Sequence, residues 1–263
     1  MDYKKLATRA RRRVLGMVHD AQTSHIGSNL SCIDILAVLY GKIANVDSEL
    51  REDRDRIIFS KGWAAAAAYF FLAEKGILPE KELDTYCKPG SALIGLVERS
   101  VRGIEASTGS MGHGLPIGTG MALGAKRSGQ SWKTYVLLSD GEMNCGTTWE
   151  SALIASHHKL DNLIAMIDYN KWQALGKTNE VLNLEPLGDK WRAFGWEVRE
   201  VDGHDFVAIE HALVTPPQKD APLVIIAHTI KGKGVSFMED KLVYHYKSVS
   251  DEEYKLALKE LHA

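Results

Sequence analysis

The stretch from residue 139 to residue 173 constrains the fold of this chain most strongly. An apolar run at 135–138 stops at a turn that begins with Ser139, which indicates a buried strand followed by a turn. Helical spacing over 147–159 and a second apolar run at 163–167 complete a strand–helix–strand unit. The two strands of such a unit are expected to be parallel, with both turns at the same carboxyl edge of the sheet, where open α/β sheets bind ligands.

Two polar residues, Asp140 and Asn170, follow these two strands, and one crossover brings their oxygens together. A carboxylate, an amide oxygen and a backbone carbonyl just beyond are hard ligands that suit Mg²⁺ or Ca²⁺. They do not suffice to close around Mg²⁺, so phosphate oxygens and water are expected to complete the site. Gly141 would let the backbone approach a diphosphate closely. The alternative is that both side chains only cap their turns.

The same residues carry a family resemblance. The turn Ser-Asp-Gly, about thirty further residues and then an asparagine closely resemble the thiamine-diphosphate signature. The sequences LDNLIAMIDYNKWQ and DKWRAFGWEVREVDGHD resemble transketolase, and specifically the N-terminal subunit of split transketolases. The similarity runs from about Ser24 to His245. It implies that Asp140, Asn170 and the Trp172 carbonyl hold the metal, and that Gly141 lies against the diphosphate of the cofactor.

Composition limits the class of protein. A chain of 263 residues is long enough for one large α/β domain, and we expect a single domain over residues 1–263. The formal charge of −2 gives no reason to expect a nucleic-acid or membrane partner, and no apolar run approaches the length of a spanning helix. The polar N-terminus and three scattered cysteines fit a reduced, cytoplasmic protein. The expected fold is a mostly parallel sheet with helices on both faces, and the family resemblance implies that it is of the thiamine-diphosphate-binding type.

Two histidines are candidates for catalysis. His25 lies in the loop SHIG, where transketolases have GHPG, and the resemblance implies that it faces the reacting carbons. An imidazole titrates near neutrality and can donate or accept a proton, although His25 alone is also compatible with an ordinary loop histidine. The dipeptide at 244–245 matches the WH dipeptide of the family, so His245 is a candidate partner of His25.

A glycine-rich segment, STGSMGHGLPIGTG at 107–120, permits close approach of the backbone to a ligand before a helix that begins at Gly114. Packing alone explains many such loops. This segment resembles the GSLGHG loop of split transketolases, which runs along the cofactor. The resemblance implies that Gly109, Met111 and His113 belong to the cofactor site, although His113 stands where some relatives have glutamine.

Two positions depart from the family pattern. Trp63 and Leu96 stand where the family has histidines, one facing cofactor and substrate and the other binding hydroxyls of the donor sugar. Unpaired hydroxyls in an apolar pocket cost about 1–3 kcal/mol each. We therefore expect a less hydroxylated donor, such as a 2-oxo acid, or a differently oriented sugar. Misalignment or harmless drift at these positions is the alternative.

The function implied by the resemblance is transfer of a two-carbon ketol unit from a ketose or ketose phosphate to an aldehyde acceptor, with thiamine diphosphate and Mg²⁺. The glutamate that such enzymes place on the aminopyrimidine belongs to a second domain outside this sequence. We therefore expect a C-terminal-type transketolase subunit that carries the pyrimidine-binding domain and this glutamate, in an α2β2 assembly. Two alternatives stay open: decarboxylation of a 2-oxo acid with acyl transfer in a specialised pathway, and a non-catalytic scaffold or regulatory subunit.

Four smaller predictions concern other positions. A helix is expected over residues 31–40, with Ser31 or Asn29 as its N-cap. Glu142 is expected to be a turn residue with possible interface contacts. Lys231 or Lys233 could lie near phosphate, although a solvated loop explains both equally well. The histidine of the DGHD segment, at position 204, is expected to organise its turn.

Overall fold

One parallel sheet forms the centre of the molecule in a computed structural model that describes residues 1–261. Its strands are Arg56–Phe59 (β1), Thr134–Ser139 (β2), Leu163–Tyr169 (β3), Glu197–Asp202 (β4) and Leu223–His228 (β5). Their order across the sheet is β1-β2-β3-β5-β4, and all neighbours are parallel. The predicted α/β fold is confirmed.

The helices lie between and around these strands. The α-helices are Tyr3–Asp20 (α1), Ile26–Ser31 (α2), Ile33–Val38 (α3), Ala65–Glu74 (α4), Gly114–Arg127 (α5), Gly146–His157 (α6), Thr178–Val181 (α7), Leu187–Ala193 (α8), Phe206–Val214 (α9) and Asp251–Glu260 (α10). A π-helical turn at Leu39–Ile43 and short 3₁₀ segments at Glu80–Thr85, Asp140–Asn144 and Leu242–His245 complete the described elements.

The strand–helix–strand unit is present as predicted. Strands β2 and β3 are adjacent and parallel, and Ser139 at the end of β2 lies opposite Asp168 in β3. All seven residues of β3 are buried because strands cover both of its edges and helices cover both sheet faces. The turns after β2 and β3 therefore leave the sheet side by side.

Two apolar layers cover the two faces of the sheet. Alternate residues of β2 point into different layers: Tyr135 and Leu137 pack with α1, α3 and α4, whereas Val136 and Leu138 pack with α5, α6 and α8. The helix α4 begins with four alanines whose small side chains are fully buried, which lets its backbone lie close to its neighbours. Among residues 1–261, no helix is both long enough and apolar enough to cross a membrane.

The helix predicted over 31–40 begins earlier than expected. It starts at Ile26, after His25 adopts a left-handed conformation with φ of 70°, and it is interrupted at Cys32. Burial of Ile26 and Leu30 draws these residues into the helical layer, so tertiary packing overrides the local cap signal. Ser31 does not cap a helix, because its hydroxyl donates to the Asp168 carboxylate instead.

The contact between α1 and α10 predicts a pH dependence of stability. The His19 ring stacks on Tyr254 with centroids 4.2 Å apart, and its two nitrogens lie 2.9 Å from carboxylate oxygens of Asp20 and Asp251. Burial lowers the pKa of His19, but the two carboxylates together raise it above its ordinary value. Because the pKa of His19 is raised in the folded state, His19 contributes fully to folding stability below about pH 6.5. This contribution is lost as the pH rises through the folded-state pKa.

We therefore expect His19→Gln to destabilise the chain more at pH 6 than at pH 8, by less than about 1 kcal/mol because both acids are exposed. Urea unfolding at the two pH values measures the difference. His157→Gln, on an exposed position of α6, is the matched control. Equal destabilisation by His19→Gln at both pH values would contradict the assignment.

Candidate functional site

The carboxyl ends of four neighbouring strands carry the candidate residues. Trp63 follows β1, Asp140 follows β2, Asn170 follows β3, and Lys231 follows β5. Because all four strands are parallel, these ends meet at one edge of the sheet.

Asp140 and Asn170 lie in adjacent turns, as the crossover predicts. Both are buried, with 1% and 4% of their surface exposed. One carboxylate oxygen of Asp140 accepts from the backbone N–H of Lys171 at 2.6 Å, and the other accepts from Gly141 at 2.9 Å. The Asn170 amide oxygen accepts from the Trp172 N–H at 3.1 Å. Both side chains therefore cap turns, yet each carboxylate oxygen keeps a second lone pair for a cation.

Within residues 1–261, no Lys, Arg or His side chain forms a salt bridge with the Asp140 carboxylate. Burial, with Asp168 nearby, raises the pKa of Asp140 to about 7. The buried ammonium of Lys61 is paired with Asp168 instead. Within residues 1–261 no cluster of three or more His, Cys, Asp or Glu side chains could hold a metal ion. A cation here would depend on Asp140, Asn170, backbone carbonyls and ligand oxygens, which fits an open Mg²⁺ site.

The Trp172 carbonyl is available as a third oxygen. Trp172 forms an isolated antiparallel bridge with Lys177, and its indole N–H donates to Asp240. In the described part of the chain, no N–H or O–H donates to the Trp172 carbonyl. The Trp172 carbonyl oxygen could therefore bind a cation without losing an existing hydrogen bond.

The surroundings of Gly141 fit a closely approaching ligand. A side chain at this position would meet only Met111 Sδ at 3.5 Å and Gln173 Cγ at 3.8 Å, which are ordinary contacts. Packing inside the chain therefore does not explain the glycine, whereas a diphosphate lying against the backbone would. The Gln173 Nε2 is buried and has no hydrogen-bond partner within residues 1–261.

The glycine-rich segment borders the same edge. Gly109 has φ of 147°, and a Cβ there would come within 2.8 Å of Leu96 Cδ2. Met111 is half exposed beside Gly141, and His113 is exposed, with its Nδ1 near the backbone carbonyl of Met111. Of the three predicted cofactor-site residues, Met111 is placed against the Asp140 turn, whereas His113 points to solvent.

The two candidate histidines are in contact. The rings of His25 and His245 are edge to face with centroids 4.9 Å apart. The backbone N–H of His25 also donates to the backbone carbonyl of His245 at 3.0 Å. Burial and the nearby Lys231 lower the pKa of His25 to about 4 and that of His245 to about 3. Both imidazoles are therefore neutral at physiological pH.

Of the two loop lysines, only Lys231 faces this pair. Its side chain is buried and its ammonium lies 3.1 Å from His245 Nδ1 and 3.3 Å from Ser28 Oγ. Burial, with Lys61 nearby, lowers the pKa of Lys231 to about 8. Lys233 instead lies 3.6 Å from Glu239 at the surface.

The loop that carries Lys231 is held by His204. This ring accepts the Ile230 N–H at 2.8 Å and faces the Asp34 carboxylate at 2.7 Å through its other nitrogen. The His204 ring thus joins its turn to the loop after β5 and to α3, and its role within the turn itself stays a prediction.

Sequence reasoning missed a buried ion pair beneath the site. Lys61 and Asp168 are both fully buried and form a salt bridge, and the Lys61 ammonium also donates to the Ser28 carbonyl at 2.7 Å. Asp168 further accepts from the hydroxyls of Ser31 and Thr229. A carboxylate inside an otherwise apolar strand was the available signal, because such a charge needs a buried partner.

Glu142 corrects a second expectation. It lies in the turn after β2, as expected. Its side chain is fully buried inside the chain, so it is not exposed for contact with another subunit. Its carboxylate accepts from the Ser60 hydroxyl, from Ser139 and from the Gly112 N–H at 3.1 Å. Glu142 therefore ties the end of β1 and the glycine-rich segment to the Asp140 turn.

The backbone at Trp63 and the side chain of Leu96 contact different parts of the candidate site. The buried Asn29 side chain donates to the His25 carbonyl at 2.9 Å and to the Trp63 carbonyl at 3.2 Å. Leu96 packs against Gly109 and is 40% exposed. The turn at Trp63 is therefore linked to the His25 loop, and Leu96 is linked to the glycine-rich segment.

Comparison with known proteins assigns the family. The chain matches the family model described as transketolase, thiamine diphosphate binding domain, over residues 3–262. This chain belongs to the transketolase family. The resemblance to an N-terminal subunit of a split transketolase is confirmed by relatives of similar length.

Two relatives of similar length and one longer solved structure show the extent of the match. A subunit of apulose-4-phosphate transketolase from Phocaeicola vulgatus is 41% identical, over 95% of this chain and 90% of the relative. The 6-deoxy-6-sulfo-D-fructose transketolase subunit SqwG from Clostridium sp. is 39% identical, over 99% of this chain and 96% of the relative. The solved transketolase from Campylobacter jejuni is 29% identical, with a TM-score of 0.92. The match covers 100% of this chain and 43% of that protein.

Proposed function

We propose that this chain is the cofactor-binding subunit of a Mg²⁺-dependent enzyme that transfers a two-carbon ketol unit from a ketose or ketose phosphate to an aldehyde acceptor. The observation that carries the proposal is the buried Asp140 carboxylate beside the Asn170 turn, which forms no salt bridge within residues 1–261 and lies at the carboxyl edge of a transketolase-family sheet. When bound, thiamine diphosphate supplies the nucleophilic carbon and the electron sink for breaking a carbon–carbon bond beside a ketone.

The metal and diphosphate half of the site is assigned to the turns after β2 and β3. Asp140, Asn170 and the Trp172 carbonyl would hold Mg²⁺, which Ca²⁺ could replace because both prefer oxygen ligands. Gly141 leaves room for the diphosphate. Gly109, Met111 and His113 border the cofactor along the glycine-rich segment.

The histidine pair is assigned to substrate orientation and proton transfer. Neutral His245 accepts from Lys231 at Nδ1, so its Nε2 carries the proton and can donate to a substrate oxygen. His25 Nδ1 lies 2.9 Å from the Ser24 hydroxyl, which orients the second ring. Both rings stay neutral at physiological pH, so each can donate one hydrogen bond and accept another.

The partner is proposed to be a C-terminal-type transketolase subunit with the pyrimidine-binding domain and the catalytic glutamate, in an α2β2 assembly in the cytoplasm. Relatives of similar length are themselves named as transketolase subunits, which supports a second component. Residues 1–263 are treated as one domain, and neither nucleic acid nor membrane is proposed as a partner.

The test combines this chain with its companion chain and measures ketol transfer. With thiamine diphosphate and Mg²⁺, D-xylulose 5-phosphate and an aldose phosphate should give the two exchanged products, whereas either chain by itself should give none. Omission of Mg²⁺ with chelator is the control. Full activity from this chain alone would contradict the shared site.

A second candidate function keeps the cofactor and changes the donor. Trp63 and Leu96 favour a 2-oxo acid, because they remove two hydrogen-bonding imidazoles that the family resemblance places in the donor pocket. Release of CO₂ from pyruvate without ketol transfer from the ketose phosphate would favour this function. Absence of Mg²⁺-dependent cofactor binding in the assembled protein would favour a scaffold instead.

A further inference from the structure

The neighbours of the His204 ring determine which of its nitrogens carries the proton. Its Nε2 lies 2.8 Å from the backbone nitrogen of Ile230, whose N–H can only donate, so Nε2 accepts and has no proton. Its Nδ1 lies 2.7 Å from Asp34 Oδ2. Burial raises the pKa of Asp34, but bonds from His204 and Arg11 together lower it below its ordinary value, so the carboxylate is ionised and only accepts. The ring is therefore neutral, with its proton on Nδ1.

One carboxylate oxygen joins three elements of the fold at this position. Asp34 Oδ2 in α3 accepts from His204 in the turn after β4 and, at 2.6 Å, from Arg11 Nη2 in α1. The side chains of Arg11 and Asp34 are only 10% and 4% exposed. Breaking such a buried pair leaves a charge without compensation, which fixes the positions of its members. We call Arg11, Asp34 and His204 the Asp34 cluster.

The Asp34 cluster holds the loop after β5 on both sides of Lys231. Its imidazole accepts from the N–H of Ile230, and its guanidinium donates through Nε to the carbonyl of Lys233 at 3.0 Å. Between these two bonds, the buried Lys231 side chain places its ammonium 3.1 Å from His245 Nδ1. A shift of the loop backbone would therefore separate the ammonium from this imidazole.

The Lys231 ammonium in turn determines the tautomer of His245. An ammonium only donates, so His245 Nδ1 accepts from it and the proton of this neutral ring lies on Nε2. The tautomer of a neutral imidazole is set by the hydrogen bond that one of its nitrogens makes, and without this bond either nitrogen can carry the proton. Two histidines at opposite ends of the loop are thus held in opposite tautomers.

We propose that His204 is a positioning residue, which in its Nδ1–H tautomer holds the loop after β5 so that Lys231 keeps the proton of His245 on Nε2. The inference rests on the proposed function, in which His245 Nε2 donates to a substrate oxygen. His204 acts through the loop backbone, so it contributes to the reaction without being a catalytic residue.

The first test reads the tautomer of His245 from the imidazole ¹⁵N shifts of the full chain labelled with ¹⁵N-histidine. The signals missing from His245→Gln assign the ring. Wild type should show the proton on Nε2, and His204→Leu should convert His245 to a mixture of both tautomers. His204→Gln, which retains a donor and an acceptor, should recover most of the wild-type spectrum. Wild-type His245 signals in His204→Leu would overturn the inference.

Asp205→Ala is the matched control, because it weakens the same turn and leaves both bonds to the loop after β5 in place. Asp205 caps α9 by accepting from the N–H groups of Val207 and Ala208, and loss of such a cap costs about 1 kcal/mol. We expect His245 to keep its proton on Nε2 in this variant. The same tautomer change in Asp205→Ala as in His204→Leu would overturn the inference in favour of general loosening of the turn.

Amide hydrogen exchange locates the effect within the loop. The N–H of Ile230 should exchange faster in His204→Leu, because its acceptor is gone. The N–H of Gly232 donates to the Gly27 carbonyl at 2.9 Å and should keep its protection. Equal acceleration at both amides would show that the whole loop depends on packing of the ring, and would overturn the tautomer-based role.

The kinetic test uses the assembled enzyme. His204→Leu should lower kcat for ketol transfer about 10-fold or more, while Mg²⁺-dependent binding of thiamine diphosphate stays within about twofold of wild type. Loss of cofactor affinity in proportion to kcat would overturn the inference. A wild-type enzyme without ketol transfer, combined with the expected change of the His245 tautomer in His204→Leu, would overturn only the proposed function.

Discussion

Asp140→Asn should weaken Mg²⁺-dependent binding of thiamine diphosphate by at least about 100-fold, the largest effect expected from any single substitution at the site. The substitution keeps the shape of the side chain and removes the charge that would bind the cation. The buried carboxylate, whose pKa is raised to about 7, forms no salt bridge within residues 1–261, so a bound cation would supply the missing positive charge.

Calorimetric titration of the assembled enzyme, with Mg²⁺ and with chelator, measures this loss. Asp161→Asn is the matched control: Asp161 precedes β3 at the opposite edge and is paired with Lys126 at the surface. We expect the control to bind as wild type does. Wild-type affinity in Asp140→Asn, or wild-type affinity that ignores the chelator, would contradict the metal assignment.

Lys61→Met should lower the free energy of unfolding by about 3–5 kcal/mol, because it leaves the Asp168 charge buried without its cation. Both partners are completely buried, with 1% and 0% of their side chains exposed. The hydroxyls of Ser31 and Thr229 still donate to Asp168, but they cannot neutralise it. Urea unfolding of the cofactor-free chain measures the loss.

Two further variants distinguish the effect of losing the buried ion pair from the effect of losing a long side chain. Adding Asp168→Asn to Lys61→Met should recover part of the stability, since the uncompensated charge is gone. Lys126→Met breaks the half-exposed pair with Asp161 and should cost less than about 1 kcal/mol. A Lys61→Met protein as stable as Lys126→Met would show that the buried pair is not important for folding.

The sequence predicted the parts of the fold that local periodicity determines. The strands β2 and β3 and the helix between them were located within a few residues, because a buried strand and an amphipathic helix have different repeats. The adjacency of Asp140 and Asn170 followed from a single geometric rule, the parallel crossover. Their roles at the metal stay a prediction.

The residues that local reasoning missed depend on strand order. Lys61 meets Asp168 only because β1 and β3 flank β2, and no spacing in the sequence encodes that order. The early start of α2 has the same origin, since the burial of Ile26 follows from contacts with distant elements.

The most direct measurement of the central claim is a crystal structure of the assembled enzyme with thiamine diphosphate and Mn²⁺, with anomalous scattering to locate the metal. We predict one peak within coordination distance of the Asp140 carboxylate, the Asn170 amide oxygen and the Trp172 carbonyl, with the diphosphate completing its ligands. A diphosphate bound without metal at these oxygens, or a metal peak elsewhere in the chain, would contradict the account.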